Sequence, residues 1–255
     1  MHERTPALDE FVLALTGKPV PKVSFLPTAS GDPREQVTRF YERFGAWPCE
    51  PSTLSLFHLG RDRIDPIEHL HGQDAIYVGG GSMRNLLAIW REHGVVEAMR
   101  EAWQSGVVLA GLSAGAMCWF EGGVSMSGGA PRPVAGLGLL SGSLSVHLDG
   151  ELGRLPVYRG AVATGELPPG YAADDGAALL FAGTGLAECV ASHPGARVLE
   201  IRPDGDGAVR ERELPVRLLP GARRRNVADD EPDGISELDG VSELRALRAG
   251  RHRWD

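Results

Sequence analysis

One serine of this chain stands where its hydroxyl could act as a nucleophile. Ser113 lies in the pentapeptide GLSAG, between Gly111 and Gly115, after the aliphatic run VVLA and before the apolar segment AMCWF. In such a strand–turn–helix setting a sharp turn presents the serine at the edge of a sheet and aims the next amide, here that of Ala114, at a developing oxyanion. The pattern indicates acyl-transfer chemistry, although GxSxG by itself also fits an ordinary glycine-rich turn.

A serine hydroxyl needs a base within about 3 Å that is oriented by a third group. Two of the eight histidines are candidates for this base. His147 ends the alternating run SLSVH, where a strand would deliver it to a sheet edge. His193, in SHPG, is expected in a hairpin turn far from that edge. Both stay open, because the chain order Ser113, Asp175, His193 is the one that α/β hydrolases use.

The candidate acids and a second oxyanion donor come from two other segments. Asp174 and Asp175 precede the apolar run GAALLFA, so one of them could orient an imidazole, although paired acids before a strand also commonly form turns. Glycines 79–81 end an earlier aliphatic run, and bare backbone at Gly80 or Gly81 would offer an oxyanion amide. This block lacks the third glycine of a dinucleotide-binding loop and no GK[ST] follows it.

Short aliphatic runs that alternate with segments of helical periodicity must position these residues. Four such runs in the first half are predicted as strands, at residues 23–27, 54–59, 74–81 and 107–112. Because continuous aliphatic strands need cover on both faces, the pattern indicates an α/β fold with a doubly wound, mostly parallel sheet and helices on both faces. Residues 122–142 are predicted as loops with short strands. Small C-terminal β elements are predicted at residues 176–182, 186–192 and 196–203.

Composition limits the partners that the protein could have. The 255 residues are 42% hydrophobic and carry a net charge of −8 without a broad basic patch, so we expect neither nucleic acid nor a membrane as a partner. The three cysteines are widely spaced, which favours no disulfide framework and a cytoplasmic location. One α/β domain is predicted for residues 1–220 and a charged tail, ending in a short helix, for residues 221–255. A homodimer is an assembly that the sequence leaves open.

Four blocks of the chain together resemble a known family. In order they are YVGGGSMRNLLAIWREHG, VVLAGLSAGAMCWFEGG, LSVHLDGE and LPPGYAADDGAALLF. They resemble the peptidase E group of serine peptidases, which is related to cyanophycinases and to class I glutamine amidotransferase-like domains. The resemblance implies that fold, with Ser113 as nucleophile and His147 as its base. It places the acid in the DDGA segment, at Asp175 with Asp174 as second choice, and the oxyanion hole at Ala114 and the glycine block.

The resemblance implies a peptidase that acts on short peptides, with N-terminal aspartyl dipeptides as one substrate class, and that needs no metal or organic cofactor. Two positions depart from the family pattern. Ser82-Met83 follows the glycines where relatives often have Asn-Thr, and Met126 stands where an aspartate is common. An arginine would be needed to bind an acidic substrate side chain, and Arg132, Arg154 and Arg159 are the candidates.

Two other functions stay open at this point. An esterase-like hydrolase would use His193 as the base of the relay. A non-catalytic, amidotransferase-like binding module could keep the turn around Ser113 after losing specificity residues such as the aspartate that Met126 replaces.

Overall fold

The structure, a computed structural model, describes residues 6–221. Eight α-helices occur in this range: α1 (Pro6–Leu15), α2 (Arg34–Phe44), α3 (Leu59–Asp62), α4 (Pro66–His71), α5 (Met83–Glu92), α6 (Val95–Gln104), α7 (Ala114–Met117) and α8 (Arg154–Ala163). Its thirteen strands are β1 (Lys22–Leu26), β2 (Glu50–Thr53), β3 (Ala75–Val78), β4 (Val108–Gly111), β5 (Phe120–Ser125), β6 (Arg132–Ala135), β7 (Leu140–Ser145), β8 (Gly170–Ala173), β9 (Ala177–Ala182), β10 (Gly185–Ala191), β11 (Val198–Pro203), β12 (Val209–Glu213) and β13 (Val216–Leu218). The predicted α/β class, with a parallel sheet, helices and small C-terminal strands, is confirmed.

The first sheet is parallel and covered on both faces. Its strands lie in the order β2-β1-β3-β4, so the chain reverses direction across the sheet between β1 and β3. Along β3, Ala75 and Tyr77 join the core beneath α1 and α2, whereas Ile76 and Val78 join the core beneath α5 and α6. Both faces of the strand are therefore buried, which explains its unbroken apolar sequence. In open α/β sheets, ligands bind outside the carboxyl ends of such strands.

The helix that follows the glycine block begins at a polar cap. Glycines end β3, and the hydroxyl of Ser82 then accepts the amide N–H of Asn85 at 3.2 Å, which satisfies one of the unpaired donors in the first turn of α5. The apolar residues of α5 recur at helical spacing, and its buried positions are Met83, Leu86, Leu87 and Trp90. Strand, glycine turn and capped helix thus follow directly from the sequence.

Two further sheets hold the second half of the chain. The larger has the strand order β12-β11-β8-β7-β5-β6, and its central strands β5, β7 and β8 run parallel. Helix α8 packs against this sheet through Tyr158 and Ala161. The smaller sheet has the order β13-β10-β9, and α1 covers one of its faces. These sheets contain the predicted C-terminal β elements.

Two expectations about strands are wrong. The strand predicted at residues 54–59 is instead a turn that leads into α3, and the true strand, β2, ends at Thr53. Because β2 is an edge strand and only partly buried, it carries no aliphatic run to reveal it. The predicted hairpin between residues 186–192 and 196–203 does not form, because β10 pairs with β9 and β13 whereas β11 pairs with β8 and β12.

Three other features complete the fold. No helix within residues 6–221 is long and apolar enough to cross a bilayer. Cys49, Cys118 and Cys189 are unpaired thiols. The charged tail predicted for residues 221–255 lies outside the described residues, apart from Gly221.

Candidate active site

Ser113 occupies a strained turn between β4 and α7. Its backbone has φ 48° and ψ −111°, a region that residues with a side chain rarely adopt. Glycine is required on both sides of it. A Cβ on Gly111 would come within 2.0 Å of the carbonyl oxygen of Gly115, and one on Gly115 within 2.4 Å of the carbonyl oxygen of Val78. The two glycines therefore let the turn close tightly against β3.

One imidazole links the Ser113 hydroxyl to a carboxylate. His147 Nε2 is 2.9 Å from Ser113 Oγ, and His147 Nδ1 is 2.6 Å from Asp175 Oδ1. A carboxylate can only accept, so Nδ1–H donates to Asp175 and leaves the Nε2 lone pair to accept the serine proton. The three side chains thus form a chain of hydrogen bonds that can draw a proton from the hydroxyl.

The two parallel strands β7 and β8 bring the imidazole and the carboxylate together. They are neighbours in the second sheet, with Ser145 opposite Ala172 in the register. His147 follows the end of β7 and Asp175 follows the end of β8, so both emerge at the same sheet edge. His147 has a positive φ of 59°, which turns its backbone sharply at this point. Ser113 reaches the pair from β4 in the first sheet.

Asp174, the second choice for the acid, faces away from the imidazole. It is 5% exposed, and its Oδ2 accepts the backbone N–H of Arg197 at 2.9 Å and the Nε–H of the same residue at 3.0 Å. Asp174 directly follows β8, whereas Asp175 lies in the turn after it, and the side chains of these two neighbours reach different partners. The structure brings Asp175 to the imidazole and leaves Asp174 in an ion pair.

The glycine block lies beside the serine, as an oxyanion donor would. A Cβ on Gly80 would be 3.3 Å from Ser113 Cβ, so this backbone packs directly on the nucleophile turn. Gly81 lies against the backbone of Ala29 in the loop after β1, whose carbonyl oxygen accepts the Ser82 N–H at 2.7 Å. Ala114, on the other side of the hydroxyl, is the first residue of α7.

Two of the three candidate substrate arginines already have acidic partners. Arg154 is 4% exposed and binds Glu151 Oε2 through Nε at 2.9 Å and Nη2 at 2.7 Å, in the turn that follows His147. Arg159 lies on the surface and pairs with Glu211, with Nη2 2.8 Å from Oε2. Neither guanidinium is hydrogen-bonded to a member of the Ser113–His147–Asp175 chain among the described contacts.

His193 is not where the sequence suggested. Instead of lying in a hairpin far from the carboxyl edge, it lies against Asp175, whose backbone carbonyl is 2.9 Å from His193 Nε2. Its Nδ1 is 3.1 Å from the carbonyl oxygen of Pro194. Both ring nitrogens therefore face carbonyl oxygens, and the imidazole that contacts the Ser113 hydroxyl is that of His147.

Cys118 is the other potential nucleophile near this turn. It is fully buried and its thiol contacts the carbonyl oxygen of Gly115 at 3.2 Å. Burial raises the pKa of the Cys118 thiol well above its usual range. The thiol therefore stays protonated and packs as an apolar group. Within residues 6–221, no group of three or more His, Cys, Asp or Glu side chains is arranged to hold a metal ion.

Sequence reasoning missed two contacts around the site. Asp149 Oδ1 accepts the backbone N–H of Asp175 at 2.8 Å, and its position two residues after His147 was the only sign of this role. Ser127 Oγ accepts the Met83 N–H at 3.1 Å, which holds the segment after β5 beside the start of α5. The half-buried Met126 precedes Ser127 and so lies in the same segment.

Comparison with known proteins places this geometry in context. Residues 1–189 match the sequence model of peptidase family S51. The chain is 44% identical over 213 residues to the uncharacterized peptidase YgaJ of Bacillus subtilis (strain 168), a match that covers 84% of this chain and 91% of YgaJ. The fold is similar to that of a peptidase from an acI-B1 Actinobacterium, with a TM-score of 0.63 and 19% identity over 83% of this chain and 89% of that one.

Proposed function

The chain belongs to peptidase family S51, and from this we propose that it is a serine peptidase that hydrolyses short peptides with Ser113 as nucleophile, His147 as base and Asp175 as the orienting acid. The observation that carries the assignment is the pair of hydrogen bonds that joins these side chains, at 2.9 Å and 2.6 Å. The strained backbone of Ser113 supports it, because such strain concentrates at functional sites.

The proposed reaction proceeds through an acyl enzyme. His147 Nε2 takes the proton of Ser113 as Oγ attacks the scissile carbonyl carbon, and the Asp175 carboxylate stabilises the imidazolium that forms. The amide of Ala114 and one from the glycine block, at Gly80 or Gly81, hold the oxyanion. One such donor typically contributes about 3 kcal/mol to the transition state. The imidazolium protonates the departing amine, and His147 then activates a water molecule that hydrolyses the ester.

The proposed substrates are short peptides, of which N-terminal aspartyl dipeptides are one class to test. An aspartyl side chain would need a cation, and two of the three candidate arginines, Arg154 and Arg159, are each paired with a glutamate. Met126 stands where relatives commonly carry an aspartate, and a thioether offers no charge to a substrate amine. We therefore infer that peptides with an uncharged first residue are cleaved at least as fast as aspartyl peptides.

A fluorophosphonate probe tests the nucleophile directly. We expect covalent labelling of the wild-type protein, none in Ser113→Ala and strongly slowed labelling in His147→Ala. Ser141→Ala is the matched control, because Ser141 is exposed on β7, and it should label like wild type. Hydrolysis of Asp-X, Ala-X and longer peptides by the same variants then defines the substrate. A folded wild-type protein that is not labelled, or is labelled elsewhere than Ser113, refutes the proposal.

A further inference from the structure

Two side chains outside the relay hold the backbone of Asp175 on both sides. Asp149 Oδ1 accepts the Asp175 amide N–H at 2.8 Å. His193 Nε2 is 2.9 Å from the Asp175 carbonyl oxygen, to which it donates when the ring carries its proton on this nitrogen. The Asp175 carboxylate lies between these two anchored peptide groups and reaches His147.

We infer that Asp149 and His193 are positioning residues, which fix the direction of the Asp175 carboxylate and through it the orientation of the His147 ring. The inference rests on the proposed function, since the direction of this carboxylate affects hydrolysis only if the relay carries out the chemistry. Neither side chain needs to contact substrate. Both would act by keeping His147 Nδ1 donating to Asp175, which leaves Nε2 available to Ser113.

Asp149 ties the loop that carries the base to the residue that carries the acid. It lies two residues after His147, and between them the Leu148 N–H donates to the Ala173 carbonyl at 3.1 Å. The hydrogen bond from the Asp175 N–H to the Asp149 carboxylate is a second contact between the same two loops, farther from the ends of the strands. The separation between imidazole and carboxylate is therefore set by direct ties between the two loops. Misplacing a catalytic group by about 1 Å can cost about 100-fold in rate.

His193 holds the other side of the same turn. It is 8% exposed, so its ring is confined. Gly176, directly after the acid, has φ 76°, and a Cβ there would lie 2.6 Å from the His193 ring. The Ser192 N–H also donates to the Gly176 carbonyl at 2.9 Å. The turn at Asp175 and Gly176 is thus packed closely onto the end of β10.

Arg197 carries a positive charge close to several acidic side chains around Asp175. The carboxylate of Asp174 binds the Arg197 guanidinium, and together with Glu213 and Asp149 it raises the pKa of Arg197. One cation therefore faces two of the acids that flank Asp175.

Paired substitutions at each position test the inference. Asp149→Ala removes the acceptor, whereas Asp149→Asn keeps an oxygen for the same N–H. His193→Leu removes the donor, whereas His193→Gln keeps an N–H. For Asp149→Ala and His193→Leu we expect kcat and the rate of fluorophosphonate labelling to fall about 10-fold or more with KM nearly unchanged, as for loss of one buried hydrogen bond. Asp149→Asn and His193→Gln should recover most of this loss. Asp206→Ala, in an exposed turn, is the control.

A second measurement does not depend on substrate. The low-field proton signal of His147 Nδ1–H, observed by NMR in protein with ¹⁵N-labelled histidine, should be present in wild type and shifted or lost in folded Asp149→Ala. If Asp149→Ala does not fold, the Asp149→Asn variant decides, and a loss of kcat in that variant overturns the assignment.

The outcomes separate this inference from the proposed function. If wild type labels at Ser113, while folded Asp149→Ala and His193→Leu keep wild-type kcat, labelling rate and proton signal, the positioning roles are wrong and the peptidase assignment stands. Asn or Gln variants as impaired as Ala and Leu would also overturn positioning by hydrogen bonds. A wild-type protein without labelling overturns both.

Discussion

Replacing Ser113 by glycine should abolish activity and should give a more stable protein than replacing it by alanine. The serine has φ 48° and ψ −111°. Reversing both signs gives a point next to the ordinary extended region, so this is a conformation that glycine adopts freely and that a residue with a Cβ does not. The matched reference is Ser113→Ala, which loses the same hydroxyl and the same hydrogen bond to His147 but keeps the Cβ.

The magnitude follows from two opposing terms. A non-glycine residue in a sparsely populated region costs about 1–3 kcal/mol, and Ser113→Gly removes that cost. Glycine also gives the unfolded chain more freedom, which lowers the free energy of unfolding by about 0.4–1 kcal/mol relative to alanine. We therefore expect Ser113→Gly to be more stable than Ser113→Ala by about 1 kcal/mol. For a chain of this size that corresponds to a rise in Tm of about 2–4 °C.

Urea unfolding and thermal unfolding of the two variants measure this difference directly. Neither variant should react with a fluorophosphonate, so activity is not a confounding factor. A Ser113→Gly protein that is no more stable than Ser113→Ala would show that the turn is not strained. The backbone argument for a nucleophile at Ser113 would then lose its physical basis.

Three further predictions concern the acid, the turn and a half-buried histidine. Asp175→Asn should lower kcat about 10³-fold or more, because the Nδ1–H of His147 then loses its carboxylate acceptor. Asp174→Asn should instead lower the free energy of unfolding with little change in kcat. Steady-state kinetics and urea unfolding of the two variants distinguish these effects. Gly115→Ala should destabilise the fold because the new Cβ would lie 2.4 Å from a carbonyl oxygen of β3. Gly160→Ala is the control, since this glycine lies in α8 with open space around the new methyl group. It should raise the free energy of unfolding by up to about 1 kcal/mol in the same urea assay. Burial lowers the pKa of His69 below its usual 6.5, so the unfolded chain takes up the proton first. Its contribution to stability is then complete above pH 6.5 and falls as the pH drops below that value, and His69→Gln should flatten this part of the stability–pH curve.

Much of the fold could be predicted because its signals are local. The buried strands of the first sheet are continuous aliphatic runs, since both of their faces are covered. The edge strand β2, EPST, gives no such signal because it is only half buried. Residues 186–192 and 196–203 were correctly predicted as strands, but their partners were not. Strand pairing depends on which distant segments form each sheet, and the sequence that connects two strands does not specify their partners.

The turn at Ser113 could be predicted from five residues because glycine is needed at Gly111 for a close approach within the turn and at Gly115 for a close approach to β3. The partners of the hydroxyl could not be chosen from the residues alone. Both His147 and His193 follow strands, and only the parallel pairing of β7 with β8 brings the first of them to the acid.

The choice between Asp174 and Asp175 shows the same difference between what the local sequence predicts and what tertiary contacts decide. The sequence alone determined that an acidic pair precedes β9, that a serine lies in a tight glycine turn, and that the fold is of the α/β class. Which aspartate meets the imidazole depends on the course of the backbone at residues 174 and 175, and the contacts of Asp149, His193 and Arg197 hold that course. Those residues lie 18 to 26 positions from the aspartates they hold, measured along the chain. Only tertiary packing could therefore decide the arrangement, because a hydrogen bond depends on proximity in space.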